Sequence, residues 1–63
     1  MRVNYLLNSG GEYLWEKQEC ETFKYETHPY TGLFTLTFHE LRGQASHLSA
    51  AASGVIQFRV ERP

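Results

Sequence analysis

Aspartate is absent from this chain, cysteine and tryptophan occur once each, and proline occurs twice. With Cys20 the only thiol, no intrachain disulfide can form, and a lone cysteine suits a reducing compartment better than a secreted one. No apolar run approaches the roughly 18 residues of a membrane-spanning helix. The opening MRVNYLLNSGG is too short and polar for a signal peptide. A soluble, cytoplasmic protein is expected. An excess of either charge is missing too: six Lys and Arg face seven Glu, for a formal net charge of −1. Nucleic-acid binders leave a basic footprint, and here Arg2, Lys17, Lys24, Arg42, Arg59 and Arg62 are scattered. The acidic excess is too slight for a DNA mimic. Charge therefore favours a protein partner over a nucleic-acid one.

With 63 residues the chain is read as one domain, 1–63. A domain of this size hides only about 60% of the surface of its unfolded chain, so nearly every large apolar residue is needed for the core. Dimerisation is one remedy for so thin a core.

Several short segments alternate with the period of a half-buried strand. The clearest is LFTLTFHE, Leu33 to Glu40, with Phe34, Leu36 and Phe38 on one side and Thr35, Thr37 and His39 on the other. It is expected to be the central strand of a small sheet. Val3, Tyr5 and Leu7 alternate in a first strand, and Asn8-Ser9-Gly10-Gly11 supplies residues that tolerate positive φ, so a hairpin should follow. A phosphate-binding loop at this place would need the longer spacing and the Lys-Ser/Thr that are missing. Glu12 to Lys17 sets Tyr13 and Trp15 against Leu14 and Glu16, Glu19 to Thr27 sets Phe23 and Tyr25 against Thr22 and Lys24, and no Gly or Pro lies between Lys17 and Cys20. Glu12 to Thr27 reads either as two strands, 12–17 and 19–27, or as one long bent strand. His28-Pro29-Tyr30-Thr31-Gly32 is a turn that joins Phe23–Thr27 to the central strand as a hairpin. Beyond Phe38 the period changes. Leu41, Ala45, Leu48 and Ala52 recur at helical spacing and Ala50-Ala51-Ala52 favours helix, so a short helix is expected near 45–53, capped by Gly54. Ile56, Phe58 and Val60 then alternate in a last strand.

The expected fold is α+β: four or five largely antiparallel strands with one short helix before the last. A small closed five-strand β-barrel is the runner-up. The core should hold Phe23, Phe34, Leu36, Phe38, Leu48, Ile56, Phe58 and Val60, with Val3, Tyr5 and Leu7 partly buried.

Chemistry has few carriers. Cys20, His28, His39 and His47 lack the close ligand pairs typical of structural zinc sites, so no metal is expected. Cys20 lies between Glu19 and Glu21, whose charges oppose a thiolate, and a buried structural cysteine is the simpler reading. Glu16, Glu19, Glu21 and Glu40 sit in polar surroundings, whereas acid–base hydrolysis needs one carboxyl shielded enough to stay protonated. No enzyme activity and no cofactor are expected. The aromatics are the remaining clue: four Tyr, four Phe and one Trp are too many for so small a core. Exposed Tyr and Trp anchor protein interfaces, although they also cap core edges or stack on single-stranded bases. The expected function is that of a non-enzymatic interaction protein that binds and modulates another protein through Tyr13, Trp15, Glu19, Glu21, Tyr25 and Tyr30. Self-association as a homo-oligomer is expected through the small-residue helix at Leu48, Ala51 and Ala52. The alternative is a single-stranded nucleic-acid binder that stacks bases on Tyr13, Trp15 and Tyr25.

Overall fold

Two short strands lie between the same two long ones. In this computed structural model, which describes residues 1–41 and 49–62, the chain forms β1 (Arg2–Ser9), β2 (Glu12–Thr27), β3 (Phe34–Leu41) and β4 (Ser49–Glu61). All pairings are antiparallel, and β4 returns to β1 to close the order β1-β2-β3-β4 into a barrel. β2 pairs with β1 through Glu12–Glu19 and with β3 through Cys20–Thr27. β4 likewise pairs with β3 through Ser49–Val55 and with β1 through Val55–Glu61. The barrel is thus two three-stranded layers that share their long strands, with corners at Cys20 and Val55.

Both turns follow their residues. Gly10 and Gly11 take φ of 61° and 89°, the pair of positive values that a two-residue hairpin loop needs to match strand twist. The Asn8 Oδ1 accepts the Gly11 N–H at 3.1 Å. In the second turn the Gly32 N–H donates to the His28 carbonyl at 2.9 Å, with Gly32 at φ 73°. The His28 Nδ1 accepts the N–H groups of Tyr30 and Thr31 at 3.2 and 3.3 Å. Glu12–Thr27 is one continuous strand, as the lack of a turn residue near Gln18 allowed.

Among the described residues there is no helix where one was expected over 45–53. Its start, with Leu48, lies outside the described residues, and Ser49–Ser53 belongs to β4. Gly54 is no helix cap: at φ 68° it turns the β4 corner, and register shifts on both flanking ladders mark a bulge around Val55. The fold is therefore all-β in its described part, not α+β. It has four strands, where the barrel alternative had five. Pairing outweighs propensity here. Without β4, the outer edge of β3 would leave its backbone groups unbonded beside the core. Ala50 lies opposite Phe38 and Ala52 opposite Leu36, so small side chains make room for large ones inside a narrow barrel.

Val3, Cys20, Leu36, Phe38, Leu41 and Val55 form the buried core. Covering a Val, Leu or Phe side chain contributes about 1.5–3 kcal/mol each. Tyr5, Leu7, Phe23, Phe34, Ala50, Ala52 and Phe58 pack around it. Phe58 is the hub of an aromatic cluster, its ring centroid 5.0 Å from Tyr25, 5.2 Å from Phe34 and 5.8 Å from Phe23. The core differs from the expected one: Leu41 joins it, Val60 is only half-buried, and Phe23, Phe34 and Phe58 pack around it rather than in it. Val55 takes the buried place expected of Ile56, because Ile56 is the extra residue between the pairs Leu6–Gln57 and Leu7–Val55. Val3, expected to be partly buried, is fully covered.

Candidate functional site

Val3, Tyr5 and Leu7 face the core, so the even residues of β1 face outward with their ladder partners. This outer face reads as a series of rows. Leu6 lies between Trp15 and Gln57, Asn4 between Lys17 and Arg59, and Arg2 between Glu19 and Glu61. Tyr13 stands next to Trp15 along β2, opposite Asn8. The guanidinium of Arg59 sits over the Trp15 ring, 5.1 Å from its centroid. At the far row the Arg2 Nε donates to the Glu19 Oε1 at 2.7 Å, and its Nη1 lies 3.6 Å from the Glu61 Oε2. The Glu19 hydrogen bond, then its charge, raise the Arg2 pKa further above its ordinary value, against a smaller effect of burial. The face therefore runs from aromatic through cationic to an ion-paired row.

The β1–β2 hairpin projects past the closed part of the barrel. Leu7 is the last β1 residue paired with β4, and among the described residues the chain beyond it has only β2 beside it. Glu12–Lys17 is exposed throughout, and Leu14, which points to the core side, is still 43% exposed. Tyr13 is 68% and Trp15 47% exposed.

Backbone groups add to the site. The Cys20 N–H donates to the Met1 carbonyl at 2.9 Å, so Cys20 is in a hydrogen-bonded pair with the β1 side. Antiparallel ladders alternate such pairs with non-bonded ones. The even residues from Glu12 to Cys20 hence bond to β1, and Tyr13, Trp15 and Lys17 turn their N–H and C=O groups to the opposite edge. Among the described residues no strand lies on that edge.

The structure brings together only some of the residues that sequence reasoning proposed. Tyr13 and Trp15 share the outer face. Glu19 is on that face too, engaged by Arg2. Glu21 is exposed where β2 bends, between the pairs Cys20–Leu41 and Thr22–His39. Tyr25 packs against the Phe58 cluster, and Tyr30 is 92% exposed on the second turn. Ala51 and Ala52 are strand residues, Ala51 exposed and Ala52 half-buried against the core. They make no common small-residue face, since neighbours on a strand point to opposite sides. Leu6, Leu14 and Arg59 belong to the candidate surface and were missed. Leu6 broke the alternation of β1, which was the available signal for an outward leucine.

Comparison with protein-family models, curated proteins and solved structures finds no match to this chain. The other potential chemistry is dispersed. His28 caps the second turn, and Cys20 is buried. Burial pushes the Cys20 thiol pKa up; the Met1 amino group opposes the shift, and Glu19 and Glu21 add to it. Among the described residues no three His, Cys, Asp or Glu side chains gather into a group that could hold a metal ion. Among the same residues no helix is long and apolar enough to cross a membrane.

Proposed function

We propose that this chain is a small, non-enzymatic binding domain that modulates another protein, docking it on the outer face of the β1–β2 hairpin. The observation that carries this reading is the solvent-exposed run Tyr13-Leu14-Trp15. Tyr and Trp are the residues that most often dominate binding energy at protein interfaces. The buried lone thiol is in keeping with a reducing compartment such as the cytoplasm. Self-association belongs to the same reading, on the same outer face.

The test is co-purification from the native host, comparing the wild-type chain with Trp15→Ala and with Tyr30→Ala. A partner retained by Tyr30→Ala and lost by Trp15→Ala supports the reading. Equal recovery with all three chains removes the hairpin as the docking surface.

A second reading, single-stranded nucleic acid, has one observation in its favour: Trp15 lies beside Arg59, with Lys17 in the adjoining row. Base stacking near cations uses such a group. Quenching of Trp15 fluorescence by an oligonucleotide, weakened by added salt, would favour it. No quenching at low salt removes it.

A further inference from the structure

We infer that the outer face of β1 receives an extended acidic segment of a partner protein. An Asp or Glu carboxylate sits over Asn4 between Lys17 and Arg59, and an apolar side chain two residues along the segment sits on Leu6 beside Trp15. This rests on the protein-binding reading and names the chemistry of the partner. The row Lys17–Asn4–Arg59 crosses three adjacent strands and carries two cations and no acid. Neighbouring strands lie about 4.8 Å apart, so the two outer Cα atoms are about 10 Å apart, within reach of one small anion for two long side chains. Arg59 narrows the gap further. Its guanidinium leans across β1 to within 5.1 Å of the Trp15 ring centroid, and Trp15 is the neighbour of Lys17 on that face. Lys17 and Arg59 are exposed, and Asn4 is half-buried between them. The side chains of Lys17 and Asn4 make no hydrogen bond or ion pair with another described residue, and that of Arg59 makes only its contact with Trp15. The ring holds the guanidinium in place while its N–H groups stay available, in the planar fork that matches a carboxylate. Donors already in position lose little freedom on binding.

The adjoining rows select what carries the anion. Two residues along β1 in one direction, Arg2 lies between Glu19 and Glu61 and is ion-paired to both. Two residues in the other direction, Leu6 lies between Trp15 and Gln57. Rows on one face of a sheet repeat every roughly 7 Å, two strand residues. The unmatched positive charge is therefore one row deep. A nucleic-acid strand carries a charge at every nucleotide, so a phosphate bound here would set the next one against the Glu19 and Glu61 carboxylates or on the apolar Leu6 row. An extended peptide turns every second side chain to the sheet at the same repeat as the rows. It places one carboxylate on the Asn4 row and one apolar group on the Leu6 row, and needs no second anion. The formal net charge of −1 adds no long-range attraction for a polyanion.

The experiment titrates the nitrogen-15-labelled chain, followed by amide and indole NMR shifts, with three blocked peptides: acetyl-Thr-Leu-Thr-Glu-Thr-amide, the same peptide with Gln for Glu, and acetyl-Thr-Leu-Glu-Thr-Thr-amide, in which the acid is next to the leucine. Oligothymidylate is the fourth probe. The first peptide should shift the Asn4 and Leu6 amides and the Trp15 indole, and bind about fivefold or more tighter than the other two peptides. Lys17→Gln and Arg59→Gln should each remove that preference, whereas Lys24→Gln, a cation on the other half of β2, should keep it. Unchanged amide spectra away from the substitution confirm that these exposed-site variants fold. Equal affinity for the three peptides, or no shift on this face up to millimolar peptide, overturns the inference. A preference that survives Lys17→Gln and Arg59→Gln also overturns it, and so does oligothymidylate that binds this face more tightly than the first peptide. Each of these results leaves the binding of another protein to be decided by the Trp15→Ala co-purification, so the two failures are distinguishable.

Discussion

Arg59 reaches across the outer face to Trp15, with its guanidinium carbon 5.1 Å from the ring centroid, although β1 separates the two strands. The contact fixes the indole on the surface proposed for docking. A cation over an exposed aromatic ring is worth about 0.5–1 kcal/mol. Arg59→Gln should therefore lower stability by no more than about 1 kcal/mol while changing the Trp15 emission and raising its accessibility to a neutral quencher such as acrylamide. Unchanged emission and quenching would mean that Arg59 does not order the ring.

The alanine segment gives a sharp test of the β assignment. Ala51 is exposed and lies opposite Thr37, so Ala51→Thr creates a cross-strand Thr–Thr pair and should stabilise the protein by a few tenths of a kcal/mol. In a helix the same change would destabilise, because threonine is a poorer helix former than alanine. Ala52→Leu overfills the space opposite Leu36 and should cost about 1–3 kcal/mol. Urea unfolding of the two variants reads both signs. A loss with Ala51→Thr and a gain with Ala52→Leu would contradict the strand.

That segment also shows where the sequence was legible. Alternation in Val3–Leu7 and Phe34–Phe38, the Gly10-Gly11 loop and the His28–Gly32 turn each reflect local chemistry, and each element formed as expected. The three alanines carry only a helical propensity locally. Their strand state comes from pairing with β3, where Leu36 and Phe38 lie opposite Ala52 and Ala50, which no local period encodes. The same holds for the site. Exposure of Tyr13 and Trp15 was expected from an excess of aromatics, but their separation from Tyr25 follows from the bend of β2 at its buried Cys20 corner. Arg59 joined them only because closure of the barrel brings β4 beside β1.

Two residues with positive φ should respond to substitution with opposite signs. Gly54 has φ 68° at the β4 corner, where an added Cβ would meet open space. Gly54→Ala therefore isolates the backbone cost, about 1–2 kcal/mol, or a fall in Tm of roughly 4–16 °C for a domain of this size. Glu40 already holds φ 55° with a side chain. Glu40→Gly relieves a strain of similar size and gives back about 0.5–1 kcal/mol in chain entropy. It should leave the protein unchanged or slightly more stable. Thermal melts of both variants decide this, and a large loss with Glu40→Gly would show that its side chain holds the β2–β3 bend.

Alkaline pH should weaken the fold through two buried or half-buried acids. Burial, then the charge of Glu16, push the Tyr5 phenol pKa up, and burial is also the main cause that raises the Cys20 thiol. Both groups hold their protons more tightly in the folded chain than in the unfolded one. Their contribution is complete below the ordinary values, about 8.5 for a thiol and 10 for a phenol, and is lost as pH rises through the higher folded values. Stability measured by urea unfolding should be level from about pH 7 to 8 and fall beyond about 8.5, more steeply above about 10. Tyr5→Phe keeps the ring packed 5.6 Å from Phe38 while removing the titrating group, so its curve should flatten in the upper part of that range. Cys20→Ala costs packing at every pH and flattens the lower part. The native thiol should also react slowly with a disulfide reagent and rapidly once unfolded, because Cys20 is enclosed at the corner where β2 passes from one layer to the other. A wild-type curve level to pH 11, or a native thiol that reacts at the unfolded rate, would place Cys20 and Tyr5 in solvent and contradict the closed barrel.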